Sequence, residues 1–217
     1  MYRVDLQPER PAPRFLPGQF LHLALDDYQP GGFWPESRVF SIANSPDEPE
    51  FLQIYYSVAG KFTARMEKEL VVGRDVWIKL PYGDFLVRLE TDTVLLAGGT
   101  GITAFRAFLR NLPNEHPHQL VLAYGARTSD LLLLRDEINL RSRQDTRLQV
   151  LYFVERDLKM QGEIAGRISI PLLQPVIQEL IEPCFYLSGP PPMMKTLSGD
   201  LSSIGIPAAR IRVDAWG

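Results

Sequence analysis

Leu95-Leu96-Ala97-Gly98-Gly99-Thr100-Gly101-Ile102-Thr103-Ala104 sets an apolar strand, a glycine cluster and the start of a helix in direct succession. A buried strand that turns into a helix within a few residues needs backbone free of Cβ atoms, which glycine supplies. The helix then presents free N–H groups and partial positive charge at its first turn. Read from Gly99, the run fits the G-x-G-x-x-A form of a dinucleotide-binding turn. Gly98, Gly99, Thr100, Gly101, Ile102 and Thr103 would then surround a diphosphate. The same residues also suit a strand–helix connection with no ligand. In the usual form an acid about 20 residues further on holds the ribose. Here the corresponding stretch, Val121 to Arg127, offers Arg127 instead. The turn points to a nucleotide site that is not of the common acid-bearing kind.

The rhythm of the 217-residue chain changes just before this turn. Up to about residue 90 the pattern is short strands: Gln19 to Leu25, Arg38 to Ile42, Phe51 to Val58, Val76 to Leu80 and Phe85 to Leu89. The last two flank the turn Pro81-Tyr82-Gly83-Asp84. One helix is expected among them, Thr63 to Leu70, with Thr63 as N-cap. Such a run predicts an antiparallel barrel or sandwich. Beyond residue 91, strands at Thr93–Ala97, Leu120–Tyr124, Leu148–Val154, Phe185–Leu187 and Ile211–Val213 alternate with helices. The helices are expected at Thr103–Asn111, Asp130–Arg141, Pro171–Glu182 (with Pro175 as a defect) and Pro191–Ser203. That alternation predicts a doubly wound α/β unit with a parallel sheet. Two domains are expected, 1–90 and 91–217.

Composition narrows the function. Net charge is -3, so there is no basic excess of the kind nucleic acid requires. One cysteine cannot close a disulfide or hold a zinc site or an iron–sulfur cluster. The three histidines, His22, His116 and His118, are scattered and make poor metal ligands as a set. No apolar run approaches the ~20 residues of a membrane span, and Asp5, Pro8, Glu9 and Arg10 break any leader-like core. A reducing, cytoplasmic setting is expected, without nucleic-acid or membrane partners.

A second glycine site lies downstream at Leu187-Ser188-Gly189-Pro190-Pro191-Pro192. It too follows a strand and opens a helix, with prolines fixing the first turn. In an open α/β sheet, ligands bind at the carboxyl ends of the strands, so both glycine sites can face one crevice. Taken alone, this segment also reads as a rigid loop.

Taken together, five motifs in order resemble the ferredoxin–NADP reductase superfamily of flavin- and nicotinamide-dependent oxidoreductases, over nearly the whole chain. They are Pro17-Gly18-Gln19-Phe20, Arg38-Val39-Phe40-Ser41, Gly60-Lys61-Phe62-Thr63, the turn at Gly98 to Thr103, and Ser188-Gly189-Pro190-Pro191. Pro81-Tyr82-Gly83-Asp84-Phe85 is similar to the family's turn at the barrel end. The resemblance implies an antiparallel β-barrel flavin domain followed by the nicotinamide-nucleotide domain. It implies that Arg38 meets the flavin phosphate, that Phe40, in place of the family's Tyr, packs on the flavin, and that Ser41 lies near its N5. Gly60 to Thr63 would receive the flavin diphosphate, which favours FAD over FMN. Ser188 stands where many members carry Cys, beside the nicotinamide. Asp214 and Trp216 correspond to the acid and aromatic near the family's C-terminus.

The activity so implied is hydride transfer from nicotinamide C4 to flavin N5 and onward delivery of electrons. Ser41, Ser188 and Asp214 are the expected catalytic residues. The donor is NADH or NADPH. Val154-Glu155-Arg156-Asp157 sits where phosphate-reading members carry Ser-Arg, and its two acids lean the choice to NADH despite Arg156. With no cluster module, the acceptor would be a separate ferredoxin-like protein or a small molecule. Free-flavin reduction, a subunit that does not turn over alone, and a scaffold with degenerate sites are the competing readings. The family's barrel begins with a strand ahead of the one Tyr2 to Leu6 resembles. An open edge is therefore implied, which favours dimerisation there or weaker flavin retention.

Overall fold

The computed structural model describes residues 1–113 and 115–214. The front unit holds β1 (Tyr2–Leu6), β2 (Phe20–Ala24), β3 (Ser37–Ser41), β4 (Leu52–Tyr56), α1 (Lys61–Glu69) and β5 (Trp77–Tyr82). β1 pairs antiparallel with β4, and a second antiparallel sheet runs β3-β2-β5. Alternation along β2 explains the packing: Leu21 and Leu23 are fully buried, while Phe20 and His22 point to the other face. Leu52, Ile54 and Tyr56 of β4 meet them in one core, closed by Phe62 and Met66 of α1.

The rear unit follows as β6 (Thr93–Gly98), α2 (Thr103–Arg110), β7 (Leu120–Ala126), α3 (Arg135–Gln144), β8 (Leu148–Val154), β9 (Glu163–Ala165), α4 (Ile170–Ile177), β10 (Cys184–Ser188), α5 (Pro191–Ser203) and β11 (Ile211–Val213). Its six strands form one parallel sheet in the order β11-β10-β6-β7-β8-β9. Period-two alternation sends Leu95 and Ala97 to the face covered by α2 and α3, and Val94 and Leu96 to the face covered by α4 and α5. The chain winds outward in both directions from β6, so the topological switch lies between β6 and β10, where a ligand crevice is expected.

Four local expectations are corrected. Thr63 is not the N-cap of α1; the cap is Gly60, and Thr63 is the third helical residue. Its hydroxyl accepts from the N–H groups of Ala59 and Gly60 at 2.9 and 3.1 Å. Phe85 to Leu89 forms no strand; Phe85, Val87 and Leu89 alternate instead onto the α2–α3 side of the rear core. The helix expected from Asp130 begins at Arg135. Ser129–Leu131 makes a tight turn and Leu134 enters the left-handed region, with the Leu133 N–H donating to the Tyr124 hydroxyl at 2.9 Å. The helix expected to reach Glu182 ends at Ile177, two residues past Pro175, and the chain then tightens into i→i−3 bonds at Glu179 and Leu180.

Candidate functional site

The carboxyl ends of the parallel strands and the front unit enclose a cleft of about 890 Å³. Both glycine motifs reach it because β6 and β10 are hydrogen-bonded neighbours, with Ala97 beside Ser188 in register. The two turns are packed hard together. A Cβ on Gly101 would lie 2.2 Å from the Ser188 carbonyl oxygen, so only glycine fits there. Gly99 takes φ +55°, which completes the tight exit from β6. Thr103 ties the start of α2 back to the turn, its hydroxyl donating to the Thr100 carbonyl at 2.8 Å. Gly98, Gly99, Thr100, Gly101 and Thr103 line the cleft, whereas the side chain of Ile102 is buried in the rear core.

The front wall comes from β3 and β4. Val39, Phe40 and Ser41 line it together with Tyr55, Tyr56 and Thr63. Phe40 meets Tyr56 edge-on at 6.3 Å. Arg38 is outside this lining. Its guanidinium pairs with Glu36 at 2.9 Å, donates to the Ser37 carbonyl at 2.8 Å and lies 5.2 Å from the centre of the Phe62 ring. Phe62 itself is a core residue, and Gly60 and Lys61 stand at the exposed start of α1.

At the opposite end the cleft is bounded by Arg127, Glu155, Gly166 and Arg167. Arg167 Nε forms an ion pair with Glu155 Oε2 at 3.0 Å. Arg156 is exposed outside the lining, and its backbone N–H donates to the Arg127 carbonyl at 3.1 Å.

On the β10 side the cleft meets Ser188, Gly189 and Pro190. Ser188 Oγ donates to Asp214 Oδ2 at 2.8 Å, and the Asp214 N–H donates to the Leu187 carbonyl at 2.8 Å. Burial pushes the Asp214 carboxyl up to about 6, against the opposing hydrogen bond from Ser188. Trp216 lies outside the described residues. Among those described, no group of three or more His, Cys, Asp or Glu side chains can hold a metal, and no helix is long and apolar enough to cross a membrane.

Cleft residues that the sequence did not single out include Tyr55, Tyr56 and Arg167. The tyrosines read only as strand formers. Arg167 follows β9, a three-residue strand too short to leave a periodic signal.

Residues 95–198 match the oxidoreductase NAD-binding domain family. Two curated relatives cover the chain almost end to end. The reductase component of propane 2-monooxygenase from Mycolicibacterium goodii is 28% identical over 216 residues, 93% of this chain and 59% of that protein. The flavohemoprotein of Rhizobium meliloti is 26% identical over 220 residues, 95% of this chain and 54% of that protein. The solved ferredoxin reductase of carbazole 1,9a-dioxygenase superposes with a TM-score of 0.75 at 27% identity, covering 99% of this chain and 64% of that one. Over nearly its whole length the chain is similar to ferredoxin reductase components and flavohemoproteins, in line with the resemblance carried by its motifs. It spans 54–59% of the length of the two curated relatives. The family match falls within the rear unit, and the cleft lies where that unit meets the front one.

Proposed function

We propose that the chain is an NAD(P)H-dependent flavin oxidoreductase that passes electrons to a separate acceptor. One observation carries the reading: the Val39-Phe40-Ser41 segment and the Gly98–Thr103 turn, 57 positions apart from Ser41 to Gly98, open onto opposite walls of one cleft. Names of the relatives support it, since two are reductase components of oxygenases.

The residues fit both nucleotides. A cleft of about 890 Å³ is of the size of a cofactor site. Gly99, whose Cβ side meets no neighbour, leaves bare backbone on the cleft where a diphosphate would approach, and the N-terminus of α2 supplies N–H groups to it. On the flavin side, the start of α1 at Gly60 to Thr63 would take the FAD diphosphate, with Arg38 near enough on the surface to turn toward it. Phe40 and the tyrosines offer ring faces, and Ser41 offers a hydroxyl. A bound flavin supplies the capacity to take an electron pair from a reduced nicotinamide and release electrons one at a time. Ser188, held by Asp214, would orient the nicotinamide ring.

Finer assignments belong to the same proposal. Residues 1–90 form the flavin domain, its two antiparallel sheets read as a barrel, and residues 91–217 form the nucleotide domain. Glu155 at the far end of the cleft favours NADH, because its carboxylate repels a 2'-phosphate. The outer edge of β1 has no described partner strand, which leaves it open to a second copy. Sedimentation across concentration tests that contact, and a monomer at all concentrations rejects it.

The test of function is an anaerobic absorbance titration of the protein loaded with FAD. Bleaching of the flavin bands on adding NADH is the expected result. Flavin retained without bleaching, or no flavin bound at all, rejects the reading. Flavin lost on gel filtration with turnover intact indicates that free flavin is the acceptor.

A further inference from the structure

Helix α2 carries a cation that neither nucleotide motif uses. Arg106 lies one turn beyond Thr103, and its side chain is only 10% exposed. Arginine is rarely so buried without full pairing. Arg106 Nη1 donates to the Ala43 carbonyl at 2.9 Å and to Gln53 Oε1, both in the front unit. Arg106 Nε and Nη2 donate to Glu137 Oε2 of α3 at 3.1 and 2.9 Å. Gln53 passes the linkage on, its Nε2 donating to Asp5 Oδ1 of β1 at 2.6 Å. One fork therefore joins two strands of the front unit to two helices of the rear one. It also borders the cleft, since the guanidinium carbon lies 5.5 Å from the centre of the Tyr55 ring.

Two more contacts cross in parallel from the same helix end. Arg110 pairs with Glu48, and Ser45 Oγ donates to Asn111 Oδ1 at 2.9 Å. The Arg110–Glu48 pair is partly exposed and so is the weaker kind of tie. Arg106 is the buried cation of the set, with planar geometry that fixes direction as well as distance.

We propose that Arg106 is a positioning residue: anchored in the front unit at Ala43 and Gln53, it sets where α2, and hence the Gly98–Thr103 turn at its head, stands relative to the Phe40–Ser41 wall. The consequence for catalysis rests on the function proposed above, because transfer between two bound rings is steep in their separation. A misplacement of about 1 Å can cost ~100-fold in rate. Loss of Arg106 would take its donor from the buried Ala43 carbonyl and leave Gln53 Oε1 with the Tyr55 hydroxyl at 3.2 Å, so that water is drawn in and the two units part.

The test uses the full chain loaded with FAD, in three forms: unaltered, Arg106→Met and Arg106→Lys. Spin labels at Val72→Cys and Ile181→Cys, exposed positions on the two units, report their separation in a Cys184→Ser background. Arg106→Met is expected to broaden the label–label distance distribution and to slow anaerobic flavin reduction about tenfold or more. Flavin content and the Kd for the nicotinamide nucleotide should change less than threefold. Arg106→Lys, which keeps the charge but not the fork, should fall between. A lower Tm with an unchanged distance distribution and an unchanged reduction rate would reduce Arg106 to a stabilising residue and overturn the proposal. If the unaltered protein shows no flavin reduction, the function fails while the distance measurement still decides the role of Arg106. Should Arg106→Met not fold, Glu137→Gln loosens the same guanidinium from its partly exposed side and is read by the same two measurements.

Discussion

Ser188 Oγ and Asp214 Oδ2 lie 2.8 Å apart at the carboxyl ends of β10 and β11, with both residues buried. The hydroxyl donates, so the bond favours the ionised acid, yet burial outweighs it and the carboxyl rises to about 6. In the unfolded chain the same group titrates near ~3.9. The folded protein therefore binds the proton more tightly. Below pH ~4 both states are protonated and this group costs nothing; as pH rises through about 6, the cost of burying the anion comes fully into effect. Asp214→Asn should leave stability at pH 4 unchanged and raise it at pH 8, by at most ~3 kcal/mol. Urea unfolding at the two pH values checks this. Equal or lower stability of the variant at pH 8 would contradict it.

Glu163 behaves in the opposite sense. Its side chain is enclosed, and burial alone would raise its pKa. Hydrogen bonds from Ser129 Oγ, Arg135 and the backbone N–H groups of Lys159 and Met160 outweigh burial and hold it down at about 2. The cluster pins the 155–162 loop and β9 against the turn after β7. The stabilisation is present above pH ~4.5 and is lost as pH falls toward 2. Glu163→Gln should cost about 2–3 kcal/mol at pH 7, since it leaves Arg135 with a weakened partner in a buried setting. Chemical denaturation reads the loss, and hydrogen exchange should localise it to residues 155–165. A change below ~0.5 kcal/mol would show that the cluster is not a pin.

How much of this was legible beforehand depended on the range of the interactions involved. β8, α5 and β11 stand where the sequence places them, because β-branched runs, a Pro-led helix start and regular spacing are local signals. The wall residues Phe40 and Ser41 and the glycine turn were legible as motifs, and the structure brings them to one cleft. Arg106 was not, because on an apolar helix face it reads as one more surface cation; its partners Ala43 and Gln53 lie more than fifty residues away. Phe85 to Leu89 carries alternating apolar residues and reads as a strand from the sequence, but it forms none. It belongs to an extended segment that covers the rear core without pairing. The cluster around Glu163 was invisible for the same reason as β9: three residues hold no pattern.

The contact between Gly101 and Ser188 gives a sharper test of the cleft than either motif alone. A methyl at Gly101 would meet the Ser188 carbonyl oxygen at 2.2 Å and the Gly189 nitrogen at 2.7 Å, both backbone atoms that cannot rotate aside. Gly101→Ala should force the two turns apart, lowering stability by about 1–3 kcal/mol and weakening nicotinamide-nucleotide binding at least tenfold. Flavin content should be unchanged, because the front wall is untouched. Gly99→Ala is the control: its Cβ meets nothing, and only the φ of +55° is strained, at ~1 kcal/mol. Calorimetric titration of the two variants with the nicotinamide nucleotide separates them. Similar affinity in both would mean that the tight packing at Gly101 does not shape the site.

Glu155 and Arg167 make the far end of the cleft a balance between one acid and one base 3.0 Å apart. While paired, Arg167 and Glu155 offset one another, so on the reading proposed above a 2'-phosphate at this end would meet the Glu155 carboxylate with Arg167 already engaged. Arg127 adds a second cation on the same wall. Glu155→Gln removes the repulsion and frees Arg167, whose side chain is 81% exposed and able to swing. The ratio of kcat/KM for NADPH over NADH should then rise about tenfold, corresponding to ~1.4 kcal/mol. The gain should come from a lower KM for NADPH with kcat little altered, because the change lies remote from the nicotinamide end. It should shrink at high ionic strength, as an exposed charge interaction must. Arg167→Ala in the same background should cancel most of it. A wild-type preference for NADPH of tenfold or more would overturn the assignment of NADH, and an unchanged ratio in Glu155→Gln would remove Glu155 from the discrimination.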